Sequence, residues 1–282
     1  MDSWRDPGAQ RWLLGGEVAS IRESAHMSLA ELAAVTEISK PKLGQLERGT
    51  YNVSPDELER ILLACRASDA DIARLTGYAT RPRGRPWWNP WASIVPDWFG
   101  LFLGLEGMAV SISAYEPSAV PGLLQTADYA RAITSVGTMV RPADIERHVE
   151  LRVQRGRRLT EQAGSTYDVV IEEAVLHRMP SDRTIMRDQL QAILDLTDLD
   201  NIRVRILPLR RELHAAMTAP QHVLFGFADM DSVAYAEVFG GARYSRSADT
   251  LRSYREAGQH LSAAALSDEA TRDFLRTLRR ET

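Results

Sequence analysis

Apolar residues in the first third of the chain recur at helical spacing, and each run follows a residue that starts helices. Leu14, Val18, Ile21 and Ala25 fall on one stripe, the recurrence expected of a helix with one buried face. Ser28-Leu-Ala-Glu31 and Ser54-Pro-Asp-Glu57 have the form of capping boxes, in which a serine oxygen and a glutamate three residues on satisfy free backbone amides. Pro55 adds a first-turn residue with no amide to satisfy, and Ser39 and Ser68 are start signals of the same kind. The pattern predicts five short helices, over 11–25, 28–35, 39–47, 55–65 and 69–76.

Beyond residue 87 helical stripes alternate with short β-rich runs. Strands are predicted at 111–115, 167–171, 203–207, 222–227 and 233–239, the last two as an antiparallel pair. Helices are predicted at 94–108, 125–134, 142–162, 182–196, 247–265 and 268–280. The expected fold class is α+β: an N-terminal five-helix domain, then a larger mixed α/β domain with a small sheet flanked by helices. Arg81-Pro-Arg-Gly-Arg-Pro86 interrupts both patterns, since two prolines and a glycine oppose helix and three arginines keep the segment wet. The expected organisation is a domain over 1–80, a basic linker over 81–86 and a second domain over 87–282.

Composition narrows the function classes. A chain of 282 residues with 44% hydrophobic and 26% charged residues is expected to fold as two globular domains. No apolar run approaches the roughly 18 residues of a membrane span, and the first eleven residues lack the apolar core of a signal peptide; a cytoplasmic location without membrane association is expected. The single cysteine, Cys65, excludes an internal disulfide and a multi-cysteine zinc site, and its place on an apolar face suits core packing. Residues 1–80 carry nine Lys/Arg against twelve Asp/Glu, so any affinity for nucleic acid must come from a local patch. The only two lysines, Lys40 and Lys42, stand together in the third predicted helix, while the other 32 of 34 basic residues are arginine.

The second and third helices are separated by a few residues, and the third stops at Gly49, which makes a helix-turn-helix. Leu14-Gly15, Ile21-Arg22, Ser28, Glu31-Leu32-Ala33, Ile38-Ser39, Leu43, Leu46-Glu47 and Gly49 together resemble the lambda-repressor-like, or XRE-type, DNA-binding domains. The resemblance implies that the third helix enters the major groove. Lys40 and Gln45 would read base edges, lysine at guanine and glutamine at adenine, with Pro41 offering apolar contact to a thymine methyl. Ser28, Ser39, Lys42 and Arg48 would meet phosphates and set register. Arg22 and Glu47 match a charged pair that ties the first helix to the end of the third, a structural ion pair rather than a DNA contact. Leu29 stands where that family usually has a glutamine, and Gly44 costs the recognition helix about 1 kcal/mol relative to alanine.

The second domain opens with clustered aromatics, Trp87, Trp88, Trp91, Trp98, Phe99 and Phe102, read as core packing or as a dimer or ligand surface. The stretch from Tyr115 to Arg131, with Trp87-Trp88, Glu106, Arg152 to Arg155, Glu172 to Ala174, Gln189-Leu190 and Leu207-Pro208, resembles the C-terminal domain of an actinobacterial regulator group described as antitoxin-like. That resemblance implies a small partner protein from an adjacent gene but no established chemistry. Trp87, Trp88, Trp91, Gln125 and Thr126 are the candidate ligand or partner contacts, with helix capping the competing role for Gln125 and Thr126. Glu172, Glu173, His177, His214 and His222 lack any known metal or acid–base spacing, and the mixed charges of 142–162 suit a solvated face or a surface for an acidic partner. No nucleophile elbow, phosphate loop or dinucleotide fingerprint occurs. The expectation is a non-enzymatic DNA-binding regulator without cofactor or metal, dimeric on an inverted repeat of double-stranded DNA and controlled through a small molecule or partner on its second domain. The alternative is an antitoxin-like protein that holds its small neighbour and autoregulates.

Overall fold

The computed structural model describes residues 4–80, 84–161, 165–210, 213, 214, 217 and 221–282. Half of the expected linker, residues 81–83, therefore lies outside the described residues, and Gly84 and Arg85 are exposed. The chain divides into two compact units that interleave in sequence: Met1–Asn89, Gly100–Met108 and Phe227–Asp231 form one, and Pro90–Phe99, Ala109–Gly226 and Ser232–Thr282 the other. No helix among the described residues is long and apolar enough to cross a membrane.

The first unit is built on α1 (Pro7–Ser24), α2 (Leu29–Thr36), α3 (Lys40–Glu47), α4 (Pro55–Ala64) and α5 (Asp69–Ala79). Four of the five starts are fixed by side-chain caps, from Asp6, Ser28, Ser54 and Ser68. α1 begins four residues earlier than its apolar stripe indicates, because Asp6 accepts from the Ala9 amide and Pro7 occupies the first turn. The core is Leu13, Leu14, Val18, Leu32, Leu43, Leu46, Leu58, Ile61, Leu62 and Leu75, all nearly solvent-free. Cys65 joins it, and burial pushes its thiol pKa up, the environment of an inert cysteine.

More than the five helices belongs to this unit. Trp88 Nε1 donates to Asp6 Oδ2 at 2.7 Å and Trp87 Nε1 to the Leu103 carbonyl at 3.0 Å, while Trp4 meets Trp87 edge-on at 4.9 Å. The unit thus differs from one ending at residue 80: half-buried indoles need a partner for their N–H, and here they find it on both sides of the expected boundary. Residues 227–231 are held in the same way. The Asp231 amide donates to Glu17 Oε1 at 2.7 Å, and Arg74 bridges Glu17 Oε2 at 3.0 Å to the Asp229 carbonyl at 2.6 Å.

The second unit carries a six-stranded sheet in the order β3-β2-β1-β4-β5-β6, formed by β1 (Ser111–Glu116), β2 (Thr166–Glu172), β3 (Ile202–Leu207), β4 (His222–Gly226), β5 (Val233–Val238) and β6 (Gly241–Ser245). The first three strands are parallel and the last three pair antiparallel. Parallel pairs need long crossovers, which here contain α7 (Ala127–Val136) and α8 (Ile145–Glu161), then α9 (Glu173–Leu176) and α10 (Arg183–Leu196). Tyr115, Val170 and Leu207 pack with Leu261, Ala264 and Ala265, so α11 (Ala248–Ala264) covers one face, and α12 (Asp268–Glu281) follows it. An α+β fold with a small flanked sheet is what the sequence pattern implies. The helix α6 (Asp97–Met108) precedes β1.

α8 departs from the solvated face expected of its mixed charges. Arg155 and Arg158 are buried, at 7% and 1% exposure, and Arg158 donates to the Ala109 carbonyl. The acidic Glu146, Glu150 and Glu161 lie on the exposed side, so the charges are sorted across the helix.

Candidate nucleic-acid interface

The helix-turn-helix is assembled by local rules that can be followed atom by atom. Ser28 accepts from the Glu31 amide and Glu31 returns a bond to the Ser28 amide, which fixes where α2 starts. Glu37 ends α2 in the left-handed region at φ 57°, an uncommon conformation for a side chain-bearing residue, and the chain turns there toward α3. α3 starts at Ser39 without a side-chain cap. A cap hydroxyl left out of its helix remains available to an external acceptor.

Two glycines set how close α3 comes to α1. A Cβ on Gly15 would stand 2.2 Å from the Leu46 carbonyl oxygen, so only glycine permits this helix contact. Gly49, at φ +74°, would place a Cβ 2.5 Å from the Trp12 Cα, and its carbonyl accepts from Arg11 Nε at 3.3 Å. The charged pair is present as well. Arg22 Nε and Nη2 reach Glu47 Oε1 and Oε2 at 2.6 and 3.1 Å, and Arg22 Nη1 donates to the Met27 carbonyl at 2.7 Å. The side chains are 11% and 13% exposed, and hydrogen bonding to Glu47 raises the Arg22 pKa.

With Leu43, Gly44 and Leu46 buried, α3 turns Lys40, Pro41, Gln45 and Arg48 outward beside Ser39. Among the described residues the side chains of Lys40, Gln45 and Arg48 make no hydrogen bond or ion pair. A Cβ on Gly44 would meet the Arg48 guanidinium first, at 3.2 Å. Lys42 is placed differently from the other cations. Its Nζ pairs with Glu57 Oε1 at 2.5 Å and lies 4.8 Å from the Tyr51 ring centroid, and Tyr51 also donates to Glu57. The hydrogen bond to Glu57 raises the Lys42 pKa, and the same bond lowers that of Glu57. Expected as a phosphate contact, Lys42 instead has its charge compensated within the unit, by a residue of α4 that no local sequence signal connects to it.

The second-domain candidates fall in both units. Trp87 and Trp88 belong to the first unit, with their indole N–H groups engaged as described; Trp91, Gln125 and Thr126 belong to the second. Thr126 caps α7 through the Tyr129 amide at 3.3 Å. Its own amide donates to Gln189 Oε1 at 2.8 Å. Gln125 is buried, donates to the Val120 carbonyl at 2.7 Å and accepts from Arg152 Nη1 at 3.2 Å.

The acidic and imidazole groups also divide. Glu173 meets His177 at 3.2 Å and accepts from the Leu209 amide. Glu172 accepts from Tyr115 at 2.6 Å and stands 3.7 Å from His214. His222 stacks between Tyr115 and Tyr254 at 5.9 and 4.6 Å. No group of three or more metal-capable side chains occurs among the described residues.

Similarity to known proteins follows the two parts of this geometry. A helix-turn-helix domain matches residues 13–75, and the family described as a domain of unknown function (DUF5753) matches residues 99–277. Two uncharacterized HTH-type transcriptional regulators of Mycobacterium tuberculosis, from strains H37Rv and CDC 1551, are each 43% identical over 54 residues, 19% of this chain. The match spans 39% of the length of those curated relatives. A solved structure, that of the clp gene regulator ClgR from C. glutamicum, is 32% identical over 26% of this chain and 92% of its own, with a TM-score of 0.23.

Proposed function

The chain belongs to the DUF5753 family and carries a helix-turn-helix domain ahead of that region, and from this we propose that it is a sequence-specific DNA-binding regulator of transcription. The observation that carries the reading is the outer face of α3, where Lys40, Gln45 and Arg48 project together with no partner among the described residues. A lysine and a glutamine at the start of a recognition helix can bond to base edges in the major groove. Arg48 and the uncapped Ser39 are placed for phosphate. Lys42 enters as a support: paired with Glu57, it fixes α3 against α4.

One such head reads too few bases to be selective, so the regulator acts as a dimer on an inverted repeat, with half-sites about one helical turn apart. Regulation comes from the DUF5753 region, through a ligand or partner that changes the spacing or orientation of the two heads. Selection of bound duplexes from a random pool, with the parent and the Lys40→Ala/Gln45→Ala variant, tests the first part. An enriched two-fold-symmetric sequence that the variant loses is expected. No enrichment by the folded parent would refute sequence-specific readout.

A further inference from the structure

Charged groups of the second unit gather at the C-terminal end of β1, and Arg152 has no carboxylate partner among the described residues. Arg152, on α8, makes one hydrogen bond among the described residues, to the neutral amide oxygen of Gln125 at 3.2 Å, and no ion pair. Gln125 is itself fixed by its bond to the Val120 carbonyl. Burial, reinforced by the neighbouring Arg155, pushes the Arg152 pKa down to about 10. Glu116, the last residue of β1, is pushed up to about 8, first by burial and then by Glu237, against a hydrogen bond from Gln221 and the charges of Arg155 and Arg152. Tyr235, buried on β5, donates to Glu237 Oε2 at 3.3 Å. Arg155 lies over the Phe99 ring at 5.5 Å.

This convergence has a topological cause. β1 pairs with a parallel strand on one side and an antiparallel strand on the other, so at its C-terminal end the chain leaves toward β2 while β4 begins on the opposite side. In open α/β sheets such switch points, at the carboxyl ends of strands, are where ligands bind. A guanidinium presents five donors in a planar fork, and spending one of them on an amide while giving up water is unfavourable in the free protein. An incoming carboxylate would satisfy the fork bidentately.

We propose that Arg152, Gln125, Glu116 and Glu237 form a binding site for a small molecule bearing a single carboxylate. One negative charge matches the Arg152 guanidinium, which has no carboxylate partner among the described residues. A phosphate dianion would bring a second charge, which Glu237 repels. Glu116, protonated near neutral pH, both donates to and accepts from a polar group on the ligand. The site is independent of DNA binding and goes beyond it.

The test uses the full chain and fluorine NMR with 4-fluorophenylacetate, its neutral amide 4-fluorophenylacetamide, and 4-fluorophenyl phosphate. Saturable binding of the carboxylate, with the amide and the phosphate weaker, is expected. Arg152→Met should weaken the carboxylate by about tenfold or more while melting no lower than the parent, because a desolvated charge is removed. Arg152→Lys keeps the charge and loses the fork, and should weaken binding too. Arg157→Ala, at an exposed position on the same helix whose side chain, among the described residues, bonds to Gln154, should bind as the parent does. The proposal is overturned if the parent fails to bind the carboxylate, if the amide or the phosphate binds as well, or if both Arg152 variants bind unchanged. A lower melting point for Arg152→Met with unchanged binding would make Arg152 a structural residue.

Discussion

Replacing Glu47 by alanine strips Arg22 of its bidentate carboxylate partner and leaves its bond to the Met27 carbonyl and a 3.3 Å contact to the exposed Glu23 Oε1. An exposed ion pair would contribute at most about 1 kcal/mol, whereas breaking a fully buried one costs about 3–5 kcal/mol. At 11% and 13% side-chain exposure the pair stands close to the buried limit, and the expected cost is about 3 kcal/mol. Hydrogen–deuterium exchange of peptides from α1 and α3 reads this unit separately from the rest of the chain. At about 1.4 kcal/mol per tenfold, the protected amides should exchange on the order of a hundred times faster in Glu47→Ala. Substituting both partners, as Arg22→Met with Glu47→Leu, should recover most of the loss, since a buried pair can be exchanged for apolar groups at little cost. Unchanged exchange in Glu47→Ala would refute the argument, as would a double variant no better protected than the single one.

Gly15→Ala should cost about 1–3 kcal/mol by overpacking, because α1 must retreat from the Leu46 carbonyl; the same exchange measurement on α3 checks it. Gly44→Ala should instead stabilise α3 by up to about 1 kcal/mol, since only the movable Arg48 end is in its way, and a thermal melt of the variant decides the sign. Arg48→Ala should lower the salt slope of DNA affinity by about one per bound head, measured by titration at several salt concentrations. Glu116 links stability to pH. Its folded pKa of about 8 exceeds the unfolded value, so its contribution is complete below about pH 4.5 and is lost as pH rises through about 8, by at most about 5 kcal/mol. Glu116→Gln should flatten the dependence of urea midpoint on pH across that window, and an unaltered dependence would remove Glu116 as its source.

Helix starts were legible in the sequence because caps are local: Ser28 with Glu31 and Ser54 with Glu57 announce themselves within four residues, and the structure uses both serines as caps. Asp6-Pro7 was an equally local signal for the start of α1, overlooked because no apolar stripe follows it at once. β6 was missed for a different reason: at the sheet edge its residues Gly241 to Ser245 bury no face fully, so no alternation marks them. The outward face of α3 was implied by the resemblance to lambda-repressor-like domains, and burial of Leu43 and Leu46 agrees with it. The pairing of Lys42 was not legible, since Glu57 comes from another helix. Arg152, Glu116 and Glu237 were equally hidden, for they approach one another only when β1, β5 and α8 are in place.

The first unit's discontinuity bears on how this protein can be taken apart. The chain crosses between its two units five times, so no single cut releases the recognition head whole. A fragment ending at residue 80 would lack Trp87 and Trp88 and with them the partner of Asp6; it would also lose the residue 227–231 segment that occupies Glu17 and Arg74. Such a head, grafted onto another regulator by recombination or by design, would arrive with its polar anchors vacant.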